Sequence, residues 1–168
     1  MELLDLLYQE MIVYYAGDAK RIQHFVKVHS FARLIGKMEG MEKDTLEILE
    51  AAAYVHDIGI KPAEAQYGKC NGKLQEELGQ KPAGELLKKC GFSGSLTERV
   101  VYLVGHHHTY DNIDGMDYQI LVEADFLVNL FEDNSPEETV RKVYENIFQT
   151  KSGREICRIM FGLGQKEE

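Results

Sequence analysis

The sequence predicts an all-α protein, and three observations support that prediction. Apolar residues recur at helical spacing almost throughout the 168 residues, no segment alternates as a half-buried strand would, and glycine, proline and serine divide the chain into helix-sized lengths. A chain of this length buries about 70% of the surface that its unfolded form exposes, which is enough for a core of its own. We expect one compact helical bundle over residues 1–168.

The first three helices follow from their apolar stripes and capping residues. The first covers residues 2–15, and the second runs over about 19–38 between a Gly-Asp cap and a terminal glycine. Asp44 and Glu47 form a pattern like a capping box, which predicts the start of the third helix. That helix is expected to break at Gly59.

The middle of the chain combines a stretch without periodicity and two helices. Residues 60–80 mix charged, amide and glycine residues, so we expect a long loop there with room for one short helix. Pro82 suits the first turn of a helix that ends at Gly91. Ser95 with Glu98 predicts the cap of the next helix, which runs into three consecutive histidines.

Two further helices and a tail complete the predicted bundle. Residues 109–116 are rich in turn-forming residues and precede a helix over about 117–131. The Ser-Pro-Glu-Glu sequence at 135–138 starts another helix, which is expected to continue through position 148. From position 153 onward we expect a short amphipathic tail.

The charge balance argues against two classes of partner. The 28 Asp and Glu residues outnumber the 19 Lys and Arg residues, and the net charge of −9 repels phosphate backbones and anionic lipid. No apolar run reaches the roughly 18–20 residues that span a bilayer, and the acidic N-terminus is unlike a signal peptide. Three widely spaced cysteines are typical of reduced thiols. We expect a cytoplasmic monomer or homodimer that binds neither a nucleic-acid polymer nor a membrane.

Ionisable side chains occupy apolar helix faces at three places. His24, His56 and Asp125 each lie on a stripe of apolar residues, and Asp57 follows His56 directly. A buried ionisable group costs free energy unless it has a partner. One divalent cation could satisfy all four, and two imidazoles with two carboxylates suit Mn²⁺, Fe²⁺, Co²⁺, Ni²⁺ or Zn²⁺.

Each of these residues also has a structural interpretation. A histidine on an apolar stripe is often a hydrogen-bonded core residue, and we expect this of His29, which has no partner pattern. An aspartate within a helix can bond to a nearby backbone group. The histidines at 106–108 could form a solvated helix end, where cations interact favourably with the helix dipole.

Four features of the sequence contain these ionisable residues: R-x-x-H-x-x-x-V from Arg21, A-A-x-x-H-D-I-G from Ala52, an apolar helix running into H-H, and A-D-F-L from Ala124. Through these motifs the chain resembles the HD-domain superfamily of metal-dependent phosphohydrolases. The resemblance covers a motif core of about residues 18–131. It implies a bundle of at least five core helices around a central metal site, completed by C-terminal helices over 132–168.

The same resemblance implies which residues form the site. The metal ligands that it implies are His24, His56, Asp57 and Asp125, with His106 and His107 as further candidates. The family's chemistry is hydrolysis of phosphate esters by metal-activated water, which Asp57 would orient. The ion would be one of the transition metals above, or Mg²⁺. Because Gln80 stands where two-metal members have a histidine, we expect one tightly bound ion.

The residues for proton transfer and substrate binding are less directly implied. Nucleotidase members carry a glutamate shortly after the His-Asp pair, but position 60 is Ile, and the nearest candidates are Lys61 and Glu64. The candidates for binding an anionic substrate are Arg21, Lys69, Lys73 and His108. Tyr110, just past the three histidines, is placed at the mouth of the site by its position alone.

We expect a metal-dependent phosphohydrolase that acts on a small phosphate ester, most simply a nucleotide or related phosphomonoester. The alternative is a non-hydrolytic regulatory domain that binds a metal and a nucleotide, which Gln80 and the missing glutamate favour. A third hypothesis is lyase or oxygenase chemistry on the same scaffold, and Gln80 argues against an oxygenase. The last is a plain helical bundle without a site. The cyclic-dinucleotide branch is disfavoured, because no G-Y-P segment follows the histidines.

Overall fold

Helices form the regular structure of residues 1–164, which are the residues that the computed structural model describes, and no strand occurs among them. The predicted all-α class is confirmed. In chain order the helices are α1 (Leu3–Tyr14), α2 (Ala19–Met38), α3 (Lys43–Val55), α4 (Ile60–Tyr67), α5 (Gly72–Cys90), α6 (Gly94–Val104), α7 (Met116–Glu132), α8 (Glu137–Asn146) and α9 (Lys151–Met160). None of the helices in this part of the chain has the length and hydropathy needed to cross a bilayer.

Three helices form the centre of the bundle. α2 lies against both α3 and α7, and α3 also contacts α1, α6 and α7. Their facing sides bury large apolar residues such as Phe25, Ile35, Leu49 and Leu121, each at most 2% exposed. Burying a side chain of this size stabilises the fold by about 1.5–3 kcal/mol. The helices that carry the predicted metal ligands are therefore held firmly by the core.

The predicted caps of two helices were each wrong by two residues. α3 begins at Lys43, and its N-cap residue Glu42 makes no side-chain capping bond, so Asp44 lies inside the first turn. There the carboxylate stabilises the helix through its dipole. α6 begins after Ser93 rather than Ser95, because Ser93 has the extended backbone of an N-cap and its hydroxyl accepts a hydrogen bond from Leu96 N.

The long loop predicted over residues 60–80 is wrong, because α4 and most of the first half of α5 occupy it. α4 ends at Gly68, which has a left-handed backbone, and the Asn71 side chain caps α5 three residues later. Pro82 therefore lies inside α5 rather than at the start of a helix. The inner face of α5 includes Gly79 and Ala83, and such small residues give a weak hydrophobic period in the sequence.

The predicted amphipathic tail from position 153 contains all but the first two residues of the helix α9. Thr150 caps α9 through its hydroxyl, which accepts a hydrogen bond from Gly153 N. The buried Glu123 carboxylate on α7 accepts hydrogen bonds from Thr150 N, Thr150 Oγ1 and Gln149 N, and so fixes the start of α9 to the core. α8 ends at Asn146, two residues before its predicted end. Positions 165–168 of the predicted unit lie outside the described residues.

Gly59 lies where the turn after the His-Asp pair packs directly on the backbone of α5. A Cβ atom on Gly59 would collide with the carbonyl oxygen of Gln75 and would stand 2.8 Å from the amide nitrogen of Gly79. Only glycine permits so close an approach of two backbones. The position of His56 and Asp57 relative to α5 thus depends on this residue.

We expect Gly59→Ala to lower the free energy of unfolding by about 1–3 kcal/mol, because α5 has to move to admit the methyl group. Gly84→Ala is the matched control within α5, since its Cβ would meet only Val101 Cγ2, at 3.4 Å. The control is expected to stabilise the protein by about 0.5–1 kcal/mol, as alanine does in helix interiors. Urea denaturation measures both changes, and an unchanged midpoint for Gly59→Ala would contradict the prediction.

Candidate metal centre

Four polar side chains from three parts of the bundle meet in its interior. His24 projects from α2, Asp125 from α7, and His56 and Asp57 from the turn that follows α3. His56 is fully buried, and His24 and Asp125 are at most 8% exposed. Each of the helical residues lies on the inner face of its helix, which is the placement that the neighbouring apolar residues predict.

The atoms that face one another are Nε2 of both histidines and one carboxylate oxygen of each aspartate. The two Nε2 atoms are 3.3 Å apart. Asp125 Oδ1 lies 3.1 Å from His24 Nε2 and 3.3 Å from His56 Nε2, and Asp57 Oδ2 lies 3.1 and 3.4 Å from the same nitrogens. Ligands roughly 2.0–2.1 Å from one tetrahedral ion stand about 3.3–3.4 Å apart. The ligand atoms of His24, His56 and Asp57 also lie within 4.8 Å of one another, so the spacing fits one divalent cation held by these three side chains, with Asp125 Oδ1 close to both histidines.

Hydrogen bonds on the far side of each ring direct Nε2 of both histidines into this cluster. His56 Nδ1 is 2.8 Å from the carbonyl oxygen of Ala53. Because a carbonyl oxygen only accepts, His56 Nδ1 carries the hydrogen, which leaves Nε2 for the cluster. His24 Nδ1 is 2.9 Å from Glu132 Oε1 and is oriented in the same way. Metal-binding histidines are commonly oriented by such outer hydrogen bonds.

The carboxylates of the metal-free cluster favour the protonated form of both histidines. Burial lowers the pKa of His24, but hydrogen bonds to Asp125 and Asp57 outweigh it and raise the pKa to about 10. Burial also opposes the charged form of His56, and the same two carboxylates raise its pKa well above the ordinary value. Burial would raise the pKa of both carboxyls, yet the charge of His56 holds each pKa below its ordinary value. A divalent cation would supply positive charge at the point where the carboxylates favour it.

We expect uptake of a divalent ion by this cluster to release about two protons per ion at pH 7. Both rings must lose the Nε2 proton before they can bind an ion, and their raised pKa values mean that both still hold it at neutral pH. The apparent affinity for Mn²⁺ therefore rises as the pH rises toward about 10. Calorimetric titration of the metal-free protein in buffers of different ionisation enthalpy counts the protons, and uptake without proton release would contradict the prediction.

Asp57 reaches a second group of ligands through its other oxygen. Asp57 Oδ1 is 3.4 Å from His107 Nε2, and His107 Nδ1 is held by the carbonyl oxygen of Val104 at 2.7 Å. His107 Nε2 is buried and makes no hydrogen bond to any described residue. Asp57, His107 and His108 offer ligand atoms that lie within 4.8 Å of one another. Since a buried ring nitrogen without a partner is costly, a second cation would stabilise this group.

His108 is held by α5 rather than by its own segment. Its Nε2 is 2.8 Å from Gln75 Oε1, and its backbone N–H donates to Glu76 Oε1 at 3.0 Å. Burial, together with the charge of the neighbouring His107, lowers the pKa of His108 to about 4. The ring is therefore neutral at pH 7, the form in which imidazole binds a metal ion.

A cleft of about 550 Å³ leads to the cluster and is lined by three of its four residues. Arg21 also lines it, and the guanidinium lies 2.8 Å from Asp18 Oδ2 and 2.6 Å from Glu64 Oε1. The two carboxylates hold this cation at the cleft. A volume in this range is typical of small-molecule sites.

Comparison with known proteins assigns the family. The model of the HD domain matches residues 21–157, which is most of the chain. The chain belongs to the HD domain family. The match extends beyond the predicted motif core of 18–131 and includes α8 and most of α9. HD domains bind divalent metal ions, and membership places the chain in a superfamily of metal-dependent hydrolases.

A solved structure has a similar fold over nearly the whole HD chain. It is the 1.45 Å crystal structure of a predicted HD superfamily hydrolase from an uncultured Thermotogales bacterium. The two share 25% sequence identity with a TM-score of 0.64, over 95% of this chain and 83% of that one. No curated protein sequence gives a significant match.

The three consecutive histidines of the HD chain point in different directions. His107 faces Asp57, whereas His106 turns away, with its Nδ1 2.7 Å from the carbonyl oxygen of Tyr102 and its ring stacked on Tyr102. Among the described residues, His106 belongs to neither group of ligand atoms, although it was predicted as a ligand. His108, predicted to contact substrate, lines the cleft and belongs to the second group.

Three lysines predicted for the site of this HD domain lie away from the cleft. Lys61 Nζ donates to the carbonyl oxygen of Tyr14 at 2.8 Å and so links α4 to α1. Lys69 and Lys73 line a separate surface depression, and the Lys73 side chain is 84% exposed. Because residues 60–80 are largely helical, these side chains point outward instead of folding over the site. Glu64, the other predicted proton-transfer residue, is the partner of Arg21.

Two side chains on α7 belong to the site but were not predicted from the sequence. Glu132 bonds His24 Nδ1 and lies 3.3 Å from Lys27 Nζ. Asn129 Nδ2 donates to Asp125 Oδ1 at 3.1 Å. Asn129 follows Asp125 by four positions and Glu132 follows it by seven, which is the helical spacing of residues on one face. That spacing was the signal that could have identified both.

Proposed function

We propose that this HD protein hydrolyses small phosphate esters with the help of two divalent ions, and that its substrate is a nucleotide or a related phosphomonoester. The observation that carries the proposal is the first group of ligand atoms, which belongs to His24, His56, Asp57 and Asp125. Five of the distances between these atoms are 3.1–3.4 Å, and the group lies at the inner side of a cleft. That spacing supports a bound cation, and the cleft supports a small-molecule substrate.

Some of the chain's residues serve as metal ligands, and others lie at the edge of the cleft. Asp57 directs one oxygen to each group and so sets the distance between them. Arg21 lines the cleft, where Asp18 and Glu64 pair with its guanidinium and hold it in place. Divalent ions bound at the two groups would supply Lewis-acid activation of water and would neutralise charge on the phosphoryl oxygens.

We infer two ions where the sequence predicted one. The prediction relied on Gln80, whose amide donates to the carbonyl oxygen of Glu76 and contributes no ligand atom to either group among the described residues. The second group instead uses His107 and His108, and the buried Nε2 of His107, which makes no hydrogen bond to any described residue, supports an ion there. The absence of a histidine at position 80 therefore does not exclude a second metal site.

One observation favours the non-hydrolytic alternative. Neither predicted proton-transfer residue is free to act at the cluster, since Lys61 donates to Tyr14 and Glu64 is paired with Arg21. A domain that binds a metal and a nucleotide without cleaving it would need no such residue. The experiment that follows separates the two functions.

The test uses untagged protein purified without chelator. We expect elemental analysis to find about two transition-metal ions per chain, and we expect turnover of p-nitrophenyl phosphate and of nucleoside monophosphates to require Mn²⁺, Co²⁺ or Mg²⁺. No turnover with any of the three ions, together with a nucleotide-dependent rise in melting temperature, would favour the binding domain. No bound metal, and none taken up on addition, would overturn both proposals.

A further inference from the structure

Two aromatic rings, Tyr110 and Phe126, lie side by side near the cleft. Phe126 lines the cleft, and the Tyr110 ring lies 5.2 Å from it, centroid to centroid. The Tyr110 hydroxyl is 3.5 Å from His108 Nδ1, which places the ring next to the second group of ligands. Tyr110 is 42% exposed, so much of its ring remains open to a ligand.

The cleft is larger than a phosphate group requires. Its volume of about 550 Å³ extends from the cluster past Ile60 and Phe126 to the surface. A phosphate group bound at the cluster would fill only part of this space, and the rest would enclose the group to which the phosphate is attached. The apolar side chains along the way favour an uncharged group there.

The charges along the cleft limit the substrate to few phosphates. Asp18, Glu132 and Asp133 line it, and the Lys and Arg side chains that do so among the described residues are Lys20 and Arg21. The guanidinium of Arg21 is already paired with two carboxylates. Additional phosphates outside the cluster would meet these carboxylates, with Lys20 as the one cation among the described lining residues that is not in an ion pair.

We propose that Tyr110 and Phe126 form a subsite that stacks on a flat, uncharged ring in the leaving group of a substrate with a single phosphate, as in a nucleoside monophosphate. The proposal rests on the proposed function, because the phosphate end has to lie at the metal cluster. Flat rings stack favourably on exposed aromatic side chains without a specific hydrogen-bond pattern.

The test compares ligands that differ in the ring or in the number of phosphates. Adenosine 5′-monophosphate and ribose 5-phosphate are substrates for turnover, adenosine 5′-triphosphate tests the limit on phosphates, and adenosine alone is the probe for calorimetric binding. We expect the wild type to prefer the monophosphate to both other esters. We expect Tyr110→Ala to raise KM for the monophosphate and to weaken adenosine binding, each by about tenfold, while KM for ribose 5-phosphate is unchanged.

Two variants control for other effects. Tyr110→Phe keeps the ring and is expected to stay within about twofold of the wild type, since stacking carries the effect. Tyr67→Ala removes a similarly exposed tyrosine that lies at the end of α4, outside the cleft, and is expected to change neither constant.

Equal use of adenosine 5′-monophosphate and ribose 5-phosphate, with no effect of Tyr110→Ala, would overturn the ring subsite and leave the hydrolase proposal intact. A preference for the triphosphate would overturn the limit to one phosphate. A protein that hydrolyses no ester would overturn the proposed function. Adenosine binding would still decide the subsite in that case, because it needs no hydrolysis: binding that Tyr110→Ala weakens would support the subsite, and absence of binding would overturn it.

Discussion

Replacing Asp57 with alanine is expected to abolish hydrolysis while the helical bundle stays folded. Asp57 is shared by both ligand groups, since Oδ2 faces His24 and His56 and Oδ1 faces His107. Its removal takes a ligand from both ions, and metal ions contribute several kcal/mol to catalysis of this kind. We expect turnover to fall by on the order of 10³-fold or more. Hydrolysis assays at saturating Mn²⁺, with elemental analysis of the same samples, measure the loss.

The fold is expected to survive because the two histidines can lose their protons once the aspartate is removed. Asp57 raises the pKa of both His24 and His56, so its loss makes both rings easier to deprotonate and avoids an unpaired buried charge. Circular dichroism checks this directly. Asp57→Asn keeps the shape and is expected to lose as much activity, whereas Asp5→Ala on the exposed side of α1 is expected to retain wild-type turnover. Full metal content with wild-type turnover in Asp57→Ala would contradict the assignment.

Replacing His107 with alanine is expected to lower the metal content from about two ions per chain to about one. The first group does not include His107, and its ligands come from α2, α7 and the turn after α3. The second group loses the ring whose buried Nε2 faces Asp57 Oδ1 at 3.4 Å and makes no hydrogen bond to any described residue. Because the second ion of a two-metal centre stabilises charge on the reacting phosphate, we expect turnover to fall by on the order of a hundredfold or more. Elemental analysis and steady-state kinetics measure the two effects.

His106→Ala is the matched control for this change. It removes the adjacent imidazole, which stacks on Tyr102 and contributes no ligand atom to either group. We expect its metal content and turnover to equal those of the wild type after correction for folded protein. The same metal loss in both variants would mean that the segment is simply destabilised, and an unchanged metal content in His107→Ala would show that the chain holds one ion, as Gln80 had suggested.

Helices whose inner face is made of large apolar residues were predictable to within a residue or two. The second predicted helix, over about 19–38, coincides with α2, whose buried face carries Phe25, Val28 and Ile35. The first half of α5 was not predicted, because glycine and alanine form part of its inner face. Small residues that pack closely on a neighbouring backbone produce no hydrophobic periodicity in the sequence. The start of α9 was missed for a related reason, since hydrogen bonds to Glu123 and Glu39 hold it in place as well as apolar contacts.

The sequence alone was sufficient to place His24, His56 and Asp125 on buried helix faces. Each lies within or at the end of a regular helix, and the helical period assigns a side chain to the buried face wherever its neighbours at three and four positions are apolar. The three histidines at 106–108 follow the end of α6 at Val104, where that period stops. Which of them faces Asp57 depends on hydrogen bonds to Val104, Gln75 and Glu76. Two of those partners are distant in sequence, and contacts between distant segments form only when the chain folds.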